Sequence, residues 1–74
     1  MDEQDLVRRA FAAWYRAGGA EQPSGDSRVV EHGGLFYVRL VGAAGTLAVY
    51  RIRTVNGQAV LKGMKRWPAS IEQQ

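Results

Sequence analysis

From residue 3 the apolar positions recur with the spacing of a helix. Leu6, Val7, Ala10, Phe11, Ala13, Trp14 and Ala17 follow the i, i+3, i+4, i+7 pattern and fill one arc of a wheel. Arg8, Arg9, Tyr15 and Arg16 fall on the other side. Asp2 is placed to cap the first turn, and Glu3 and Asp5 suit the positive end of the helix dipole. Gly18-Gly19 supplies the stop, because glycine enters the left-handed conformation that a helix C-terminus wants. The pattern predicts a helix over 3–17. The polar, glycine-bearing stretch from Gly18 to Ser27 then reads as a loop.

Beyond residue 28 the period changes to two. Strands are expected over about 28–31, 35–42, 46–55 and 58–63, followed by a tail over 64–74, in an antiparallel meander. Asn56-Gly57 is the sharpest signal, since a two-residue type I′ hairpin needs positive φ at both positions. It pairs Val55 with Gln58 and so sets Arg53 opposite Val60 and Arg51 opposite Lys62. Gly33-Gly34 turns the first hairpin. Gly42 to Gly45 fits a three-residue loop with Gly45 as a left-handed bulge, which pairs Gly42 with Thr46, Val38 with Tyr50 and Phe36 with Ile52. A two-residue loop there would slip the register and bring Arg51 among Phe36, Val38 and Leu40.

Strand alternation now sorts the side chains. One face collects Phe36, Val38, Leu40, Ala48, Tyr50, Ile52 and Leu61 and carries no charge. The other collects Tyr37, Arg39, Val41, Leu47, Val49, Arg51, Arg53, Val60 and Lys62. The fold expected is α+β: an N-terminal amphipathic helix packed on the uncharged face of a three- to four-stranded antiparallel sheet, with a short C-terminal tail or helical turn. Phe11 and Trp14 are expected as the helix's largest anchors.

Composition narrows the chemistry. A chain of 74 residues makes one small domain over 1–74, and the absence of cysteine removes disulfide, thiolate-metal and redox-motif chemistry. One histidine does not make a zinc site of the common kinds. His32, beside Glu31 and the Gly33-Gly34 turn, reads as a polar turn residue. No apolar run approaches the length of a membrane span, and the acidic start MDEQDLVRR does not resemble a secretion signal, so a cytoplasmic location without membrane contact is expected. No nucleophile elbow, phosphate loop or HExxH motif is present, which points to a non-enzyme with no cofactor and no metal.

Charge changes the picture most. Residues 1–34 carry four arginines against six carboxylates, a net −2, whereas residues 35–74 carry six cations against Glu72 alone, a net +5. Arg39, Arg51, Arg53 and Lys62 share one sheet face with Tyr37, and Lys65 and Arg66 follow in the tail. Such cations neutralise phosphates, and an aromatic among them stacks an unpaired base, so this face is a candidate nucleic-acid surface. The same residues also suit a solvated face whose arginine stems cover apolar neighbours. Val41, Leu47, Val49 and Val60 on that face raise a different prospect: an apolar interface covered by a second copy of the chain or by an acidic protein. Trp67 reads as folding back to close the core, with Pro68 opening a last turn through Ile71.

The segments Leu35–Arg53 (LFYVRLVGAAGTLAVYRIR) and Lys62–Pro68 (KGMKRWP) resemble small bacterial proteins, some of the prophage or mobile-element sort, that have no assigned activity. The resemblance covers about half the chain. It implies a compact α+β fold and carries over no functional residue. The helix-then-strands order is similar to that of the double-stranded-RNA-binding domain, a likeness of topology that assigns no function.

Overall fold

A computed structural model describes residues 2–43 and 45–72. Helix α1 spans Glu3–Arg16, followed by strands β1 (Arg28–His32), β2 (Leu35–Gly42), β3 (Gly45–Val55) and β4 (Gln58–Met64), and a short helical turn α2 (Ala69–Glu72). The four strands form one antiparallel sheet in the order β1-β2-β3-β4. The α+β architecture is the one that the periodicities predict. No helix among the described residues is long and apolar enough to cross a membrane.

Both ends of α1 follow from local chemistry. The Asp2 carboxylate accepts from the Gln4 N–H at 3.2 Å. At the other end Gly18 has φ +93°, its N–H donates to Tyr15 O, and the Gly19 N–H donates to Trp14 O at 2.9 Å. That pair of bonds is a Schellman motif, which satisfies carbonyls the helix leaves unpaired. Leu6 and Ala10 carry the buried contact with Val38, Leu40, Tyr50 and Ala59, while Phe11 and Trp14 pack half-buried around that cluster. The two aromatics are the largest helix side chains on the cluster, as expected, but they are only partly buried, and the buried helix residues are Leu6 and Ala10. Trp14 also ties down the following loop, its indole N–H donating to Glu21 O at 2.7 Å.

The Asn56-Gly57 turn has positive φ at both residues and pairs Val55 with Gln58, as the dipeptide requires. The turn between β2 and β3 differs from expectation. Pairing runs to Gly42↔Gly45, not Gly42↔Thr46, and the irregularity sits between Leu40↔Ala48 and Val41↔Thr46, so that Leu47 is the extra residue. Gly45 keeps a positive φ, of +126°. The middle of the proposed three-residue loop, residue 44, lies outside the described residues, as does the tail beyond residue 72. Both solutions insert one extra residue into β3, so Val38 still pairs with Tyr50. Only the residues between turn and bulge change sides. Leu47 joins the helix-side cluster and Thr46 moves to the opposite face.

That opposite face, termed outer here, carries a second core. Val30, Tyr37, Val49 and Ile71 are buried together, with Met64 and Trp67 packed against them. After Met64 the chain turns back across the outer surface of β1 and β2, seats Ile71 there, and places the Ser70 hydroxyl 3.0 Å from His32 Nδ1. The sheet is thus covered on one side by α1 and on part of the other by residues 65–72.

Candidate nucleic-acid interface

The register lays out the outer face in rows. Arg28, Arg39, Val49 and Met64 are successive cross-strand partners, and so are Val30, Tyr37, Arg51 and Lys62. Arg53 pairs with Val60 one row further, beside the exposed Leu35 and Val55. The C-terminal strap covers the β1–β2 side of this lattice together with Val49 of β3 and Met64 of β4. It leaves the rest of β3 and β4 open, from Arg51 and Lys62 to the hairpin turn, and this is the open β3–β4 half.

This division separates the residues singled out by the sequence. Tyr37 is only 6 % exposed and stands inside the second core, so its ring is not a stacking surface. Arg39 is half-buried, and its Nε donates to Thr46 Oγ1 at 2.8 Å. Arg51 is half-buried beside Lys62, with its Nε shut off from solvent and unpaired among the described residues. Arg53, Lys62, Lys65 and Arg66 are exposed. The structure therefore gathers Arg51, Arg53 and Lys62 on the open half and sets Lys65 and Arg66 at its border, where β4 passes into the strap. It does not bring Tyr37 and Arg39 into the same open surface.

The apolar set divides as well. Val49 is 0 % exposed and Leu47 belongs to the helix-side cluster, so neither is offered to a partner. The picture of exposed valines and a leucine clustered on the outer face is corrected: the chain covers most of them itself. Val41 is half-buried and Val60 is 43 % exposed. The sequence does hold a signal for the cover, namely Trp67 and Ile71 spaced four apart around Pro68, one helical turn of apolar spacing next to an otherwise unmatched apolar face.

The electrostatics of the open half are one-sided. Arg51 and Lys62 stand directly opposite each other, an arrangement that repels. No carboxylate among the described residues pairs with Arg51, Arg53, Lys62, Lys65 or Arg66. The helix cations behave differently: Arg9, four residues after Asp5, sends its guanidinium to Ala59 O at 2.7 Å. Comparison with protein-family models, curated proteins and solved structures finds no match.

Proposed function

We propose that the chain is a small cytoplasmic accessory protein that acts by binding rather than catalysis, and that it holds the phosphate backbone of a nucleic acid on the β3–β4 half of its outer face. The observation that carries this reading is the like-charged cross-strand pair Arg51 and Lys62, with the exposed Arg53, Lys65 and Arg66 on the same half and no carboxylate among the described residues paired with any of the five. Like charges opposite each other cost stability, and a row of phosphates offsets that cost. With Tyr37 buried, the face offers charge without an aromatic platform. The binding it supports is of backbone rather than of bases, with little sequence preference.

The test is fluorescence anisotropy with labelled duplex DNA, single-stranded DNA and RNA at low salt. Binding to at least one of them, weakened by Arg53→Glu and Lys62→Glu, is expected. No change in anisotropy with any of the three at high micromolar protein removes the reading. A second reading is favoured by one observation: Leu35, Val55 and Val60 stay exposed beside the same cations, as at the rim of a protein interface. Contact with an acidic protein or a second copy would then cover them, and Val60→Asp would abolish it while leaving nucleic-acid binding only modestly weaker.

A further inference from the structure

The two edges of the sheet are not covered alike. Both helices pack on β1 at one edge, whereas β4 forms the other edge over Gln58–Met64. In the antiparallel ladder of β3 and β4, Gln58, Val60 and Lys62 turn their backbone groups towards β3, and Ala59, Leu61 and Gly63 turn theirs outward. The Ala59 carbonyl accepts from the Arg9 guanidinium at 2.7 Å. The N–H and C=O groups of Leu61 and Gly63 have no partner among the described residues. Proline and bulges are usual devices that blunt an edge, and β4 carries neither. Beyond Ala59 the sheet therefore ends in donors and acceptors spaced for a further strand.

The side chains define what fits there. Strand addition draws affinity from main-chain hydrogen bonds and specificity from the side chains that alternate to either side. On the outer side β4 presents Val60 and the exposed Lys62, with Arg51 and Arg53 next to them on β3. No carboxylate among the described residues pairs with these three cations. On the helix side β4 presents Leu61, half-buried against the helix-side cluster, and Gly63. An added strand thus meets cations on one side and apolar surface on the other. Opposite charges across a strand pair stabilise it and like charges destabilise it. Pairing with β4 of a second copy would set two basic rows edge to edge, so the charge favours an acidic segment of a different protein.

We infer that β4 takes up an extended segment of a partner protein as a fifth strand, with acidic residues on the side of Lys62 and Arg53 alternating with apolar residues on the side of Leu61. The inference shares Lys62 and Arg53 with the phosphate surface. It rests in addition on the outward backbone of β4, which phosphate contact does not need, so the two readings stand or fall separately.

The experiment is amide hydrogen exchange of the full chain, followed by NMR, with a capped peptide as long as the seven residues of β4. The peptide carries glutamate at odd positions and valine at even ones. Saturating peptide should slow the Leu61 and Gly63 amides by about tenfold or more, with little change at Val60 and Lys62, whose N–H groups already bond to β3. A peptide with glutamine in place of glutamate, and one with the glutamates gathered at one end, should each bind at least about tenfold more weakly. Gly63→Pro removes an outward donor at an edge position that tolerates proline, and a Cβ at residue 63 meets the Tyr50 ring at an ordinary 3.5 Å. It should weaken the peptide by about tenfold and leave duplex DNA binding as in the parent chain, whereas Gly63→Ala should change neither. Should Gly63→Pro fail to fold, the exchange pattern of the parent chain decides. The inference is overturned if the alternating peptide does not bind, if it binds without slowing Leu61 and Gly63, or if the peptide with gathered glutamates binds as tightly. Absence of duplex binding alone removes the phosphate reading and leaves this one intact.

Discussion

At the scale of single residues, the outer face shows how burial reassigns roles. Val49 pairs with both Arg39 and Met64, yet it is fully buried because Ile71 and Trp67 lie over it. Val49→Asp would therefore put an unpaired carboxylate in a core, and urea denaturation should show a chain that no longer folds, whatever its partners. Ile71 is the clearer probe. It is 0 % exposed, and Ile71→Ala should lower stability by about 2–5 kcal/mol, the usual range for truncating a buried aliphatic. A neutral result in chemical denaturation would mean that the strap contributes nothing to the fold. Tyr50 makes a different prediction. Burial raises its hydroxyl pKa above the ordinary value, so the folded state keeps a proton that the unfolded chain loses near pH 10. The sign follows directly: this contribution is intact below about pH 10 and is lost as pH rises through the folded value. Tyr50→Phe should flatten the fall in stability above pH 10 relative to the parent chain, as followed by thermal melts across pH 8–12.

At the scale of elements, α1 does more than fill one side of the sheet. Counting outward from the two-residue hairpins, Val29 on β1 and Ala59 on β4 turn their backbone groups away from the neighbouring strand. The helix meets both: Glu3 accepts the Val29 N–H, and Arg9 donates to the Ala59 carbonyl. Capped edges resist pairing with other chains. Glu3→Ala and Arg9→Ala should each cost about 1–2 kcal/mol in urea unfolding, and the double variant should aggregate sooner on heating, as measured by light scattering. The elements themselves were legible in the sequence, because period-two alternation and Asn56-Gly57 fix parity from β2 through β4. The location of the β3 bulge was not. A bulge at Gly45 and one at Leu47 add the same single residue and leave the same pairing beyond Ala48, so the hydrophobic pattern does not choose between them. The strap was half legible: Trp67 and Pro68 announced a return to the core, but a segment of eight residues carries too little periodicity to say which face it covers. That one uncertainty decided the candidate site, since the covered half took Tyr37 and Val49 with it.

At the scale of the whole molecule, the charge imbalance between the two ends of the chain becomes a spatial one, because β3, β4 and the start of the strap hold five of the ten cations together. If the open half holds phosphates, its contribution is electrostatic, and electrostatics of this kind are read through salt. Each cation that neutralises a duplex phosphate adds about 0.9 to the slope of log affinity against log salt, so the four exposed cations Arg53, Lys62, Lys65 and Arg66 set that slope at about −4 for duplex and about −3 for a single strand. Replacing both Arg53 and Lys62 by alanine should reduce the slope by about 2 and weaken binding to unrelated sequences alike, which is the mark of backbone rather than base contact. Arg28→Ala, at the far edge, should leave the slope unchanged. Anisotropy titrations at several salt concentrations separate the outcomes. A slope unmoved by the double substitution would place the phosphates elsewhere on the molecule, and an affinity indifferent to salt would leave Leu35, Val55 and Val60 as the contact that matters, with a protein as the partner.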